Sequence, residues 1–470
     1  MRSLKVLLSR TGTVLLVLDL LLLVPAWPLL LWLVEPERWS ALVLDPGLLL
    51  FPVAQVAMLY AMGLYRRDAI LSTRSALLRV PLAGGLAVLG ALGVQLALEL
   101  WAPRPAPLRL AALCVAAMLG FAACATVARV VLFALLRGGV LRRRVMVVGA
   151  GRRAAELMAM VTQHGSNPQF DVLFVHEPAL GPRDPDVGRG PHQTVVVAAD
   201  SNYLQLAVAH DVDQIVVAPD ERRGMRLEKL LDCKKNGYPV VQHLAFVERE
   251  ARRVDLAWME LGWFLYSDGY QFGPLDRALK RVMDVVVSVL VLSVGAFLLL
   301  PAAIAVKLQD GGPVIYAQTR VTRGGRHFRI LKLRTMLVDA ERGGAVWASA
   351  GDSRITRVGR FLRHTRIDEL PQLFNVLRGE MSLVGPRPER PEFIVELAEK
   401  IPLYDERHTV KAGLTGWAQI NYPYGASIED SRAKLGYDLY YVKNFSVLFD
   451  LLIILQTLRV VLFPGAAGAR

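Results

Sequence analysis

Four apolar stretches in the first ~136 residues constrain this chain most: about 13–34, 41–64, 77–101 and 108–136. Each is long enough for a membrane helix, which needs roughly 20 apolar residues. Backbone in hydrocarbon must pair its own polar groups, so such stretches have little choice but to be helical. The first is too long for a signal peptide, lacks a small-x-small cleavage site, and is followed by three more.

Loop charges give these helices a direction. Arg2, Lys5 and Arg10 precede the first stretch, Arg66, Arg67, Arg74 and Arg79 separate the second from the third, and Arg137, Arg142, Arg143 and Arg144 follow the fourth. The alternate loops hold only Arg38, Arg104 and Arg109, against Glu35 and Glu37. Positive charge is retained on the cytoplasmic side, so the N-terminus and everything after the fourth helix are expected there. The net charge of +13 is accounted for by such anchors and by contacts to anionic lipid and phosphate. The sequence carries no nucleic-acid motif, and nucleic acid is not expected as a partner. Cys114, Cys124 and Cys233 show neither a disulfide framework nor metal-ligand spacing.

After residue 141 the pattern changes. The run from Arg142 to Met160 reads as strand, glycine turn and helix, with Gly149, Gly151 and Ala154 in a GxGxxA spacing. Strand-like runs follow at 171–176, 194–198, 214–218 and 239–242, with a helical run at about 225–236. The alternation predicts a Rossmann-like parallel sheet over 142–262. Gly149 and Gly151 are candidate nucleotide ligands, Arg152 and Arg153 could attract a phosphate, and Glu177 is the candidate acid after the second strand. The same glycines could serve only a tight turn and close packing. Asp184-Pro185-Asp186, in the Gly- and Pro-rich loop at 181–191, imitates a DxD metal motif, as does Asp211-Val212-Asp213; both read as loop acids.

A fifth apolar segment, 282–306, is long enough to cross a bilayer, but Arg277, Lys280 and Arg281 precede it and Lys307, Arg320, Arg323 and Arg326 follow. Both ends therefore belong on the cytoplasmic face. Pro301 removes a helix hydrogen bond. A bent, re-entrant helix that enters one leaflet and returns satisfies both constraints.

Beyond it, two short strands flank Gly324-Gly325, and Lys332 and Arg334 alternate with Leu331 and Leu333, which places both cations on one strand face. In TRIDELPQLFNVLRGEMSLVGPRPER (365–390), Asp368 is read as a helix N-cap, Pro371 as the third helical residue, Leu373, Phe374 and Leu377 as a buried stripe, and Gly379 as the C-terminal glycine. That reading sets Asp368 and Glu369 at the positive helix end, where carboxylates stay ionised. Plain capping is the alternative role. Arg360, Arg363, Arg366 and Arg387 surround the pair in sequence and call for an anionic partner such as a phosphate or diphosphate. The apolar run within 435–463 is expected to be packed or interfacial rather than spanning.

The hairpin with Pro301, KLRTM (332–336), IDELPQLFNVLRGEMSLVGPRP (367–388) and GLTGWAQIN (413–421) together resemble the bacterial sugar transferase family. These are monotopic phosphoglycosyl transferases that begin exopolysaccharide and O-antigen repeat units. The match covers about 275–465. The helices and Rossmann-like domain ahead of it resemble the long form, and PYGAS (423–427) resembles its exopolysaccharide branch. The resemblance implies three parts: a four-helix transmembrane region (1–141), a Rossmann-like domain (142–262), and an α+β catalytic domain with a re-entrant helix (275–470), cytoplasmic at a multi-pass bacterial inner-membrane protein. It implies transfer of hexose 1-phosphate from a UDP-hexose to undecaprenyl phosphate, with UMP released. Asp368 would be the nucleophile and a ligand of Mg²⁺, and Glu369 its dyad partner. Lys332, Arg334, Arg366 and Arg387 would meet phosphates, and Asp438 matches a family acidic position. Leu300 stands where the family often has Ser, and Ala412 where it usually has Pro.

Two other classes stay open on the sequence: a non-catalytic membrane scaffold or regulator of polysaccharide assembly, and an oxidoreductase built on the GxGxxA turn. The sequence does not fix the hexose or the oligomeric state, a homo-oligomer being one outcome.

Overall fold

A computed structural model describes residues 9–66, 69–70, 73–101, 109–162, 169–188, 193–197, 201–259, 269–270, 273–340, 352–423, 425 and 427–462. Arg2, Lys5, Arg67, Arg104, residues 189–191, residue 198, and Tyr424 and Ala426 of PYGAS lie outside the described residues. The chain forms two compact units, Met1–Trp258 and Met259–Arg470. The helical region and the Rossmann-like sheet both lie within the first unit.

The first unit opens with α1 (Arg10–Val34), a single turn α2 (Trp39–Leu42), α3 (Leu50–Ala61), α4 (Thr73–Trp101) and α5 (Leu110–Arg137). Residues 10–34, 76–100 and 110–137 are long and apolar enough to cross a membrane. The second stretch is not: helix forms only over the 12 residues of α3, about 18 Å. Asp45-Pro46-Gly47 breaks it, and the Asp45 carboxylate accepts the Leu48 amide at 3.0 Å, closing a turn. The helices are apolar inside and out. Trp27 packs among Leu23, Leu31, Phe51 and Phe121, while Leu21, Val24, Leu33, Leu89, Leu119 and Val130 face outward. An outward apolar surface is what a lipid solvent requires.

Among the described residues, an ion pair is buried inside this bundle. Arg129 Nη1 on α5 donates to Asp19 Oδ1 on α1 at 2.8 Å, and the Tyr65 hydroxyl donates to Asp19 Oδ2 at 2.7 Å. Both charges are buried.

A five-stranded parallel sheet follows in the order β3-β2-β1-β4-β5. Its strands are β1 (Arg143–Val148), β2 (Phe170–His176), β3 (Gln193–Val196), β4 (Gln214–Val217) and β5 (Val240–Gln242). Its helices are α6 (Arg152–Thr162), α7 (Tyr203–Ala209), α8 (Leu227–Lys235) and α9 (His243–Ala251). Val145, Val147, Val172, Phe174 and Val216 bury one sheet face, and Met146, Val148, Leu173, Val175 and Ile215 the other. Burial on both faces explains why these strands read as continuous apolar runs.

The second unit is built on α10 (Pro274–Asp310), a helix of 37 residues with Pro301 inside it. Its buried positions, Asp284, Ser288, Gly295, Ala302 and Val306, mark one face along the whole length. Val286, Leu290, Val294, Phe297, Leu300 and Ile304 leave an apolar face exposed. The buried face is bolted down at both ends. Lys280 donates to Asp450 Oδ2 at 2.5 Å, Arg281 donates to the carbonyls of Val376 and Leu377 at 2.6 Å each, Asp284 accepts the Ser382 hydroxyl at 3.0 Å, and Asp310 pairs with Arg334.

Against α10 sit β6 (Ile315–Val321) and β7 (His327–Leu333), antiparallel about the Gly324-Gly325 turn, then α11 (Arg357–Thr365), α12 (Gln372–Arg378), β8 (Ser382–Val384), α13 (Pro391–Lys400), β9 (Gly413–Thr415), α14 (Trp417–Asn421), α15 (Ile428–Asn444) and α16 (Val447–Leu462). The 435–463 run is therefore two helices. α16 buries Phe449, Ile453 and Arg459 and exposes Leu451 and Leu458.

Removing one partner of a buried pair leaves an uncompensated charge. Arg129→Met is expected to destabilise the first unit by roughly 2–4 kcal/mol, and adding Asp19→Leu to recover most of it. Denaturant unfolding in detergent reads both; equal stability of Arg129→Met and the parent would refute a structural role for the pair.

Candidate active site

The Asp-Glu pair is not at a helix N-terminus. α11 ends at Arg366, a left-handed residue with φ of 59°. The chain then makes a 3₁₀ turn over Ile367–Glu369, and α12 begins only at Gln372 with Pro371 as N-cap. Pro371 supplies no amide, and the expectation that Asp368 caps a helix fails here. Gly379, at φ 79°, ends α12 as expected. The stripe differs: Leu373, Asn375 and Val376 are buried, whereas Phe374 is exposed.

The turn gives the two carboxylates opposite surroundings. Glu369 Oε1 meets Arg387 Nη2 at 3.2 Å, Lys332 Nζ at 3.4 Å and Arg366 Nη1 at 3.8 Å. Burial alone would raise Glu369, but Lys332, Arg387 and Arg366 outweigh it and hold it down at about 2. Asp368 is 6% exposed, and its Oδ1 has no hydrogen-bond partner. Burial, reinforced by the Glu369 charge, pushes Asp368 up to about 6 against the pull of Lys332, Arg363 and Arg366. The expected stabilisation of ionised Asp368 by a helix end is therefore reversed: there is no helix end, and desolvation dominates. Neighbouring groups whose environments drive their pKa values apart are the pattern of paired catalytic carboxylates.

Each cation arrives from a separate element. Lys332 comes from β7, which Asn375 of α12 holds in place: its Oδ1 accepts the Leu331 amide at 3.0 Å and its Nδ2 donates to the Arg329 carbonyl at 2.9 Å. Arg387 lies between Pro386 and Pro388, and its Nη1 donates to Gln419 Oε1 on α14 at 3.0 Å. Those two segments meet because β8 and β9 pair in parallel, Ser382 to Gly413 and Val384 to Thr415. A Cβ at Gly385, Gly413 or Gly416 would strike the backbone of the opposite segment. Arg363 donates to the Thr335 hydroxyl at 2.9 Å, tying KLRTM to α11. Arg360 is exposed.

Two sequence candidates are otherwise engaged. Arg334 is buried and committed to Asp310 at the end of α10. Asp438 is buried on α15 and pairs with Arg407 at 2.8 Å. Arg407 in turn donates to the Arg387 carbonyl at 2.9 Å and to the Tyr404 hydroxyl at 2.6 Å. Asp438 is thus linked to the dyad through Arg407 and the Arg387 backbone. Neither Arg407 nor Gln419 was singled out in the sequence. Gln419 lies in the quoted GLTGWAQIN motif, but Arg407, in LYDERHT, reads as a surface residue.

A divalent cation fits one feature of the site. The unpartnered Asp368 Oδ1 is a hard oxygen donor of the type Mg²⁺ accepts beside substrate phosphate oxygens. Glu369 is already taken by three cations.

In the first unit, the GxGxxA turn is occupied by the protein itself. Asp220, after β4, accepts the Arg152 amide at 2.7 Å and the Arg153 amide at 3.0 Å. Its carboxylate fills the space beside Gly151 where a nucleotide phosphate would lie in a dinucleotide-binding fold. Glu177 is buried and accepts the Tyr203 hydroxyl at 2.5 Å, so it does not await a ribose. Asp184 closes a turn by accepting the Asp186 amide, Asp211 pairs with Arg144, and Asp213 accepts the Arg144 amide.

A folded-state pKa of about 6 for Asp368 lies above the ordinary ~3.9, so its ionised form costs stability at pH above 6 and nothing below about 4. Asp368→Asn is therefore expected to stabilise the second unit by on the order of 1–2 kcal/mol at pH 7.5, with the gain vanishing near pH 4. Thermal unfolding of both forms across pH measures it; a less stable Asn variant at pH 7.5 would contradict the desolvated carboxylate.

Residues 275–464 match the family model of the bacterial sugar transferases. The chain is 40% identical over 259 residues to the UDP-N-acetylgalactosamine-undecaprenyl-phosphate N-acetylgalactosaminephosphotransferase of Aeromonas hydrophila, covering 54% of this chain and 60% of that one. It is 46% identical over 191 residues to the UDP-glucose:undecaprenyl-phosphate glucose-1-phosphate transferase of Caulobacter vibrioides, covering 39% of this chain and 72% of that one. An exopolysaccharide production protein of Rhizobium leguminosarum is 40% identical over 191 residues, 94% of its length. With the dyad, the Pro386-Arg387-Pro388 segment and GLTGW assembled at one site, the chain belongs to the bacterial sugar transferase family.

Proposed function

We propose that this protein transfers hexose 1-phosphate from a UDP-hexose to undecaprenyl phosphate, as the first step of an exopolysaccharide or O-antigen repeat unit. The observation that carries the reading is the unpartnered Asp368 Oδ1 beside a Glu369 saturated by three cations. The names of the related proteins from Aeromonas and Caulobacter support the donor and acceptor classes.

Asp368 attacks the β-phosphorus of the donor through Oδ1. The bond from that phosphorus to the bridging oxygen breaks, and its electron pair leaves with UMP. An oxygen of undecaprenyl phosphate then attacks the same phosphorus, and the carboxylate is released. Dividing one displacement into two is what a carboxylate nucleophile offers. Lys332, Arg366 and Arg387 bind and orient the phosphates, and Glu369 holds these cations in place. Gln419 and Arg407 fix the side chain and carbonyl of Arg387. Mg²⁺, held by Asp368 with the substrate phosphates, would neutralise charge on the diphosphate. Positioning and charge stabilisation are the main demands of phosphoryl transfer.

The membrane arrangement follows from α10. Contacts to the second unit at Lys280 and Asp284 and again at Val306 and Asp310 support a helix with both ends on one side, its exposed apolar face in the leaflet. Basic residues at both ends favour the cytoplasmic face of the bacterial inner membrane, where nucleotide sugars occur.

Incubating the protein with UDP-glucose or UDP-N-acetylgalactosamine and Mg²⁺, without acceptor, should place a hexose-phosphate adduct on Asp368. Mass spectrometry detects it, and Asp368→Asn should lose it together with UMP release. Turnover without any adduct would defeat the two-step route; no UMP from any UDP-hexose would favour a scaffold. Because Asp368 must be ionised to attack, kcat/KM should fall about tenfold per pH unit below an acid limb near 6. Lys332→Met removes a charge that lowers Asp368, so the limb should move to higher pH; an unmoved limb would assign it to another group.

A further inference from the structure

The carboxyl edge of the parallel sheet holds a second cluster of ligating side chains, beside the GxGxxA turn that Asp220 fills. His243 opens α9 directly after β5, Glu156 lies on α6, and Asp255 follows α9. One ligand atom from each lies within 4.8 Å of the others. His243 is 3% exposed, and neither Nδ1 nor Nε2 has a hydrogen-bond partner. The Arg153 backbone passes close to the ring without an acceptable hydrogen bond. Leaving a buried polar atom unpaired is costly, so an orphaned imidazole facing two carboxylates calls for an electrophile between them.

We propose that Glu156, His243 and Asp255 form a divalent-cation site of the Zn²⁺ class, with one nitrogen and two oxygen ligands. Mixed imidazole and carboxylate donors select borderline transition ions over Mg²⁺ or Ca²⁺. Three protein ligands leave a coordination position for water or a small ligand. Burial lowers His243, which favours the neutral imidazole that binds metal. Burial raises Glu156, with Asp255 and Asp220 adding to it, a penalty that a cation removes. The Trp258 indole N–H donates to Glu156, and the Arg153 guanidinium lies over the Trp258 ring at 4.8 Å, so the ligand is oriented by an outer layer. Asp255 is further fixed by accepting the Ala257 amide at 3.1 Å. Asp255 stands just before the boundary of the two units at Trp258, and a bound cation ties that exit segment to α6 and α9.

The test uses the full-length protein in detergent, stripped of metal by chelation, in the Asp368→Asn background so that the dyad does not contribute. Titration with Zn²⁺ by calorimetry should show one cation per chain, and Co²⁺ should give the visible absorption of a four- or five-coordinate site. His243→Ala should abolish the Co²⁺ bands and weaken Zn²⁺ at least tenfold. Glu156→Gln, at an exposed position that tolerates change, should do the same and decides the matter if His243→Ala does not fold. Zn²⁺ affinity and Co²⁺ spectra unchanged in Glu156→Gln, or no stoichiometric binding in the parent, would overturn the site.

Discussion

Three cations converge on one oxygen of Glu369, and the geometry of the second unit is arranged around that convergence. The carboxylate is a common anchor for Lys332 from β7, Arg366 from the end of α11 and Arg387 from the Pro-Arg-Pro segment. By absorbing their attraction it leaves Asp368 weakly stabilised as an anion, with its Oδ1 free of a hydrogen-bond partner. Inside a protein, low dielectric makes both halves of this division matter: the paired charge is held firmly, and the unpaired one is raised in energy. A carboxylate kept in that condition is a better nucleophile toward phosphorus than one dissolved in hydrogen bonds. The proposed reaction uses the same cations twice, once to hold Glu369 and once to receive the donor's phosphates.

The apolar helix α10 belongs to this arrangement rather than serving only as an anchor. Arg281 caps the C-terminal carbonyls of α12, the helix that follows the dyad, and Gly295 lies against Leu370 immediately after it. Asp284 holds β8, which leads into Arg387. Exposed apolar side chains and side chains that hold the elements around the dyad therefore share one helix. The polar contacts satisfy groups that would otherwise be buried without partners.

Much of this was legible in the sequence where local rules suffice. The apolar runs at 13–34, 77–101 and 108–136, the parallel strands and the Gly324-Gly325 turn follow from period, length and turn chemistry. Gly379 was legible because a helix C-terminus needs a left-handed residue. The failures have physical causes. Asp45-Pro46-Gly47 interrupts a run whose composition alone looks continuous. Asp368 resembles a cap because caps and 3₁₀ turns share residue preferences, and only the placement of Pro371 separates them. Lys332 and Arg334 look equivalent by alternation, yet long-range packing gives one to Glu369 and the other to Asp310. The GxGxxA spacing reports the turn faithfully but says nothing of Asp220, which arrives from about 70 residues further on. Arg407 is charged and buried, a combination that composition argues against until its partners are known.

The pairing of β8 with β9 carries a consequence for biosynthesis. The dyad and its proline-flanked arginine are synthesised by about residue 390, yet the strand that orients that arginine begins at Gly413. Closing this segment costs chain entropy that only the completed ladder offsets. A nascent chain would thus hold Asp368 in an unfinished pocket until translation is almost done, which delays competence.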